Sequence, residues 1–143
     1  MKAVKLKPLN LPTMTGGSLL SLATRTGTGY SDPLEVVPYE VGSLQLNATA
    51  CSTSTSTATL DVTLEFSVDG AGWTALFKEG MTAPADALNA VGFAQVKGDA
   101  AFPVNKVLKL TGAMGRFIRV KWVISGSDTF TFKTDCLMKS LAT

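Results

Sequence analysis

The chain of 143 residues contains no histidine. Hydrolytic triads usually take their general base from that residue, so the commonest nucleophile–base pairing is excluded. Cysteine occurs only twice, as Cys51 and Cys136, too few for a disulfide framework or a zinc cluster. Both lie in strand-like segments, where a buried thiol packs as a small hydrophobe, and neither has the helix-start or glycine-framed setting that lowers a thiol pKa. Two free thiols are therefore expected. Charged residues make up 17%, against roughly 25% in an average soluble domain. Such a surface fits partial coverage by a partner or by further copies, although Ser- and Thr-rich β-proteins often carry few charges in any case. A net charge of +2 with no basic run speaks against a field-driven nucleic-acid binder. No apolar run approaches the ~18–20 residues of a membrane span. Lys5, Lys7 and Pro8 interrupt the N-terminal segment before a signal-peptide core can form, so the expectation is a soluble protein made in a cytoplasm. There is no P-loop and no GxGxxG, and no cofactor is implied.

What the chain does have is alternation of period two. Leu60, Val62, Leu64, Phe66 and Val68 fall on one side of a strand, with Asp61, Thr63, Glu65 and Ser67 on the other. Asp69-Gly70 then signals a hairpin turn, and residues 73–77 return. Near the C-terminal end, Ile118, Val120, Trp122 and Ile124 face inward, leaving a mixed outer face of Phe117, Arg119, Lys121 and Val123. Residues 129–138 follow, with Phe130 and Phe132 inward. Further strands are expected at 34–37, at 41–51 (Leu44, Leu46, Ala48 and Ala50 inward), at 93–97 and at 104–110. About eight strands with short turns indicate an all-β, antiparallel two-sheet β-sandwich of jelly-roll type. The stretch 79–91, with Pro84 and many small residues, reads as the longest loop, with a short helix around 85–90 as the alternative.

Residues 1–33 hold Pro8, Pro12, Pro33 and Gly16-Gly17 and read as an extended N-terminal arm, with one edge strand at 19–23; residues 34–143 form the sandwich. Such an arm either trails free or wraps a neighbouring subunit. Its candidate contact residues are Lys2, Lys5, Lys7, Leu9 and Leu11. On the outer face of the late strand, Phe117, Arg119 and Lys121 combine apolar and cationic groups in the manner of an interface core. Trp73 and Tyr30 are the candidates for a carbohydrate platform, with packing over the sandwich end as the other role for Trp73. Asp61 and Glu65, four apart on one strand face, lie about 13 Å apart by strand rise, too far for a glycosidase pair, and read as solvent-facing. Asp69, Asp86, Asp99 and Asp128 have no calcium-loop spacing.

The segments LDVTLEFSVDGAGWTAL and GRFIRVKWVISGSDTFTF resemble those of capsid cement or decoration proteins of tailed bacteriophages, over roughly residues 44–138. The resemblance implies a non-enzymatic virion protein on the capsid exterior, made in the host bacterial cytoplasm. It would bridge copies of the major capsid protein and form a homo-oligomer, dimer or trimer, with the N-terminal arm as a clamp. A second resemblance, through Ser67, Asp69, Gly70, Trp73 and residues 116–119, is to discoidin-like carbohydrate- and lipid-binding domains. There these positions are largely scaffold, and the implied alternative is a glycan-binding module of a phage fibre. A tail or head-completion component is the third reading.

Overall fold

The computed structural model describes residues 14–36, 41–75, 92–111 and 116–139. These form ten strands in two antiparallel sheets, with no helix among the described residues. The strands are β1 (Met14–Arg25), β2 (Thr28–Tyr30), β3 (Leu34–Glu35), β4 (Val41–Cys51), β5 (Thr59–Ser67), β6 (Thr74–Ala75), β7 (Val96–Lys97), β8 (Val104–Thr111), β9 (Phe117–Ile124) and β10 (Phe130–Lys139). One sheet has the order β1-β10-β4-β8; the other has β2-β9-β5-β6, with β3 also on β9 and β7 also on β5.

Two pairs of short strands are interrupted rails. β2 and β3 lie on the same partner, β9, through Tyr30–Lys121 and Leu34–Ile118. Between them Ser31 donates its N–H to the Val120 carbonyl and accepts the Val120 N–H on its hydroxyl, both at 2.8 Å. That side chain replaces a ladder bond just before Pro33, which has no N–H to give. β6 and β7 lie on the same edge of β5: Ala75 faces Glu65, Gly92 faces Thr63, and Val96 faces Leu60. The rail thus resumes two positions on, after residues 76–91. Merged in this way, the ten strands become eight rails whose order along the two sheets is the jelly-roll order. The number equals the expected eight but the membership differs: β1 is an added rail, and the strands expected separately at 73–77 and 93–97 fall on one, as β6 and β7.

The N-terminal boundary differs from the one that the sequence pattern suggests. From Met14 onward the chain is not an arm. β1 is a full rail on β10, from Met14–Lys139 to Arg25–Phe130, and β2 belongs to the second sheet. Glycine and proline content suggested irregular backbone, but pairing with β10 supplies what local propensity lacks. Residues 1–13, with Lys2, Lys5, Lys7, Leu9 and Leu11, lie outside the described residues, as does the expected loop at 79–91.

The core lies between the sheets and follows the period-two pattern. Leu44, Leu46, Leu60, Val62, Leu64, Ile118, Val120, Phe130, Phe132 and Met138 are all buried. Of the expected inward positions, Phe66 and Trp122 are only half-buried and two are exposed. Ala50 is exposed, because Thr131 pairs with Ala50 while Phe132 pairs with Ala48, and this bulge at Thr49 turns the strand end outward. Val68 is 70% exposed while Ser67 is buried, because the strand ends at Ser67 and the chain enters its turn. Trp122 is half-buried, and Arg25 explains why. Its guanidinium carbon lies 5.3 Å from the Trp122 ring centroid and 4.9 Å from that of Phe132. It also donates to the carbonyls of Ser21, Ala23 and Phe132, beside the register shifts in the ladder of β1 with β10. Trp122 lies so close against Gly29 that any side chain there would run into the indole.

Cys51 and Cys136 are free, and burial raises the Cys136 thiol pKa, which keeps it protonated and inert. Thr134 is wholly buried, and its hydroxyl has no hydrogen-bond partner among the described residues.

Thr134→Val is expected to raise unfolding free energy by about 1–2 kcal/mol by removing an unpaired buried hydroxyl. Phe132→Ala is expected to lower it by about 3–5 kcal/mol. Urea unfolding with a shared slope measures both, and a destabilised Thr134→Val would show that the hydroxyl has a partner.

Candidate functional site

Strands β5 and β9 form the middle of the second sheet, and their register sets Glu65 directly opposite Arg119. On the outer face the two meet as a close ion pair, with Arg119 Nη2 at 2.6 Å and Nε at 2.7 Å from Glu65 Oε1. Their side chains are only 21% and 13% exposed, so this pair is partly shielded from water. By contrast Arg116 and Glu35, at 3.0 Å, are 58% and 51% exposed, and a pair of that kind contributes little.

Two aromatic rings flank the guanidinium. Tyr30 arrives on β2, opposite Lys121 and diagonal to Arg119, and its ring centroid is 4.0 Å from Arg119 Cζ. Trp73 arrives from the turn after β5, with its ring centroid 4.3 Å from the same carbon. Both distances are within cation–π range. Lys121 Nζ lies 6.0 Å from the Tyr30 centroid. Phe117, half-buried, sits at the next outward position of β9 and lies beside Gly70.

The turn that delivers Trp73 is built by side chains. The Ser67 hydroxyl accepts the N–H groups of Asp69 and Gly70 and donates to Asp69 Oδ1 at 3.0 Å. Asp69 Oδ1 accepts the N–H groups of Ala71 and Gly72, each at 2.9 Å. Gly70 has φ of 80°, a conformation that favours glycine. The Asp-Gly signal is thus a capped turn in which the aspartate carboxylate gathers backbone donors. Those donors, Gly72 first, then Ala71 and the Ser67 hydroxyl, hold the Asp69 pKa down, from 3.8 to about 2.

The structure therefore gathers two groups of residues that the sequence treats separately. Phe117, Arg119 and Lys121 form one side of the patch, and Tyr30 and Trp73 contribute its rings. Glu65 is the correction: it is not a plain solvent-facing carboxylate but the anchor of Arg119. Only the cross-strand register reveals this, since 54 residues separate the two in sequence. Asp61, on the same strand face, is held by Gln95, whose amide nitrogen is 3.1 Å from both carboxylate oxygens. Asp128 accepts the Thr53 hydroxyl. No group of three His, Cys, Asp or Glu side chains is gathered as a metal requires among the described residues.

No family model matches the chain, and no curated protein does. Among solved structures, the chain is similar to a dimeric latent PorU from Porphyromonas gingivalis, at 13% identity and a TM-score of 0.33, over 88% of this chain and 11% of that one. It is also similar to a family two carbohydrate esterase from Cellvibrio japonicus, at 12% identity and a TM-score of 0.30, over 90% of this chain and 34% of that one. The chain thus spans about a tenth and a third of those two proteins. At these scores neither likeness carries an argument about activity.

Glu65→Ala is expected to destabilise the fold by about 1–3 kcal/mol, because it leaves a half-buried guanidinium without its anion. Arg119→Ala, which also removes the filling between the rings, should shift tryptophan emission to longer wavelength as Trp73 becomes wetter. An unchanged emission spectrum would show that the stack does not hold in solution.

The Asp69 cap gives a pH dependence. Its carboxylate has a lower pKa folded than unfolded, so its contribution is full above about pH 4 and is lost as pH falls towards 2. Asp69→Asn should flatten the acid limb of the stability curve in that window and leave the neutral region's slope unchanged. Urea unfolding at a series of pH values measures it.

Proposed function

We propose that this chain is a non-enzymatic structural protein that binds a protein surface through the outer face of its second sheet, and that it serves as a cement or decoration protein on a tailed-bacteriophage head. The observation that carries the surface-binding part is the patch of Tyr30, Arg119, Trp73 and Phe117 with Glu65 as anchor. Tyrosine, tryptophan and arginine are the residue types that dominate binding hot spots. Here the arginine is already ordered by its ion pair and two rings, so docking would cost little further side-chain entropy. The assignment to a phage head rests on the strand–DG–x–W and R-F-I-R-V-x-W resemblance and on the jelly-roll order, an architecture shared with capsid proteins but also with lectins and cupins.

The competing reading uses the same rings for a sugar. Arg119 already covers one face of both Tyr30 and Trp73. This favours a protein partner, which can use edges and the exposed rim, over a glycan, which needs an open ring face.

Capsids of the encoding phage, assembled without this chain, provide the test. The native protein should co-sediment with them and raise their heat-disruption temperature. Tyr30→Ala with Arg119→Ala should lower the bound fraction at least tenfold. Failure of the native protein to co-sediment would end the capsid reading, and binding on a glycan array that is lost in Trp73→Ala would replace it.

A further inference from the structure

The two sheets have four edges, and three are blunted against pairing with another chain. β8 carries Lys106 and Lys109. The edge made by β2 and β3 is two short pieces broken at Pro33, and the edge made by β6 and β7 is two strands of two residues each. β1 differs from all of these. It runs for 12 residues, and from Met14 to Thr24 it has no charged residue and no proline. Among the described residues its only ladder partner is β10. Ser18, Ser21 and Leu22 are exposed, Leu22 at 54%. Its ladder with β10 shifts register twice, between Ser18 and Leu20 and between Leu20 and Ala23, and next to these shifts Arg25 donates to the carbonyls of Ser21 and Ala23 on β1 and of Phe132 on β10. Apart from the Ser21 and Ala23 carbonyls that Arg25 takes, the edge of β1 away from β10 has no ladder partner among the described residues.

We infer that β1 pairs antiparallel with β1 of a second copy across a two-fold axis, joining two four-stranded sheets into one continuous sheet. In an isologous contact each residue i that meets j is matched by j meeting i, so any charge near the strand centre meets its own copy. β1 has none there, whereas β8 in a register centred on the strand would set Lys106 against Lys109. Gly16 and Gly17 add no side chain to obstruct the approach. The pairing supplies main-chain hydrogen bonds, as in strand addition. A strand of this length spans about 40 Å, and one sheet edge buries less than the roughly 1,600 Å² of a standard interface. The dimer is therefore reversible and concentration-dependent. This inference stands independently of the capsid reading, since it concerns a different surface and a different partner.

Sedimentation of the full chain over micromolar to near-millimolar concentration tests it. The native protein should pass from one copy to two. Ser18→Lys with Leu22→Lys, both at exposed positions, should hold it at one copy across the range. Val107→Lys, on the β8 edge, should dimerise as the native chain does. A native protein that stays monomeric throughout, a double variant that dimerises normally, or a dimer lost only in Val107→Lys would each overturn the assignment. If the double variant does not fold, amide exchange of the native chain decides: protection along residues 14–24 should rise with concentration, and constant protection overturns the proposal.

Discussion

Eight residue pairs, from Leu60–Ile124 to Ser67–Phe117, join β5 to β9 without a shift in register. Because the side-chain period of a strand is two, a slip of one residue would turn every side chain of one strand to the opposite face. The apolar residues Leu60, Val62, Leu64, Ile118 and Val120 oppose any slip, since all of them are fully buried in the present register. Each fully buried side chain of this size contributes roughly 1.5–3 kcal/mol over its exposed state, so the inner face decides the register. The outer face inherits the result. Glu65 meets Arg119 because Leu64 and Val120 are held inward, not because the ion pair is strong enough to select the alignment.

The same ordering of magnitudes explains what the sequence made legible. Alternation in residues 59–67 and 117–124 is driven by burial, the strongest of the forces at work, and it shows in the bare residue pattern. The free thiols, the turn at Asp69-Gly70 and the inward Phe130 and Phe132 were legible for related reasons. What escaped depends on pairing between distant segments. β1 is poor in local strand signals around Gly16-Gly17, and only its ladder with β10 makes it a rail. Glu65 looked idle because its partner lies on another strand. Ala50 and Val68 were misassigned where a bulge and a strand end break the period, and neither break is written in the composition around them.

The outer patch shows how little of a candidate site can be read one residue at a time. Tyr30, Trp73 and Arg119 come from three separate stretches, and each has an ordinary structural explanation by itself. Joined, they make an ordered cation beside two rings on the mixed outer face of the second sheet. Arg25 repeats the device at another place, between Trp122 and Phe132 and close to the sandwich interior. There it is spent on internal carbonyls, which separates it in kind from Arg119: one guanidinium closes the fold, and the other is presented.

Ala75 and Gly92 stand only two ladder positions apart along β5. A chain that leaves a rail and rejoins it at almost the same place adds no step to the sheet. The register of everything downstream, from β7 to β10, is therefore indifferent to how much polypeptide lies between those two points. Loop closure at fixed ends grows only logarithmically, by about 0.6 kcal/mol for each doubling of length. The fold thus contains a natural splice point, where lineages could exchange or lengthen a segment and an engineer could graft an epitope while leaving the jelly roll unchanged.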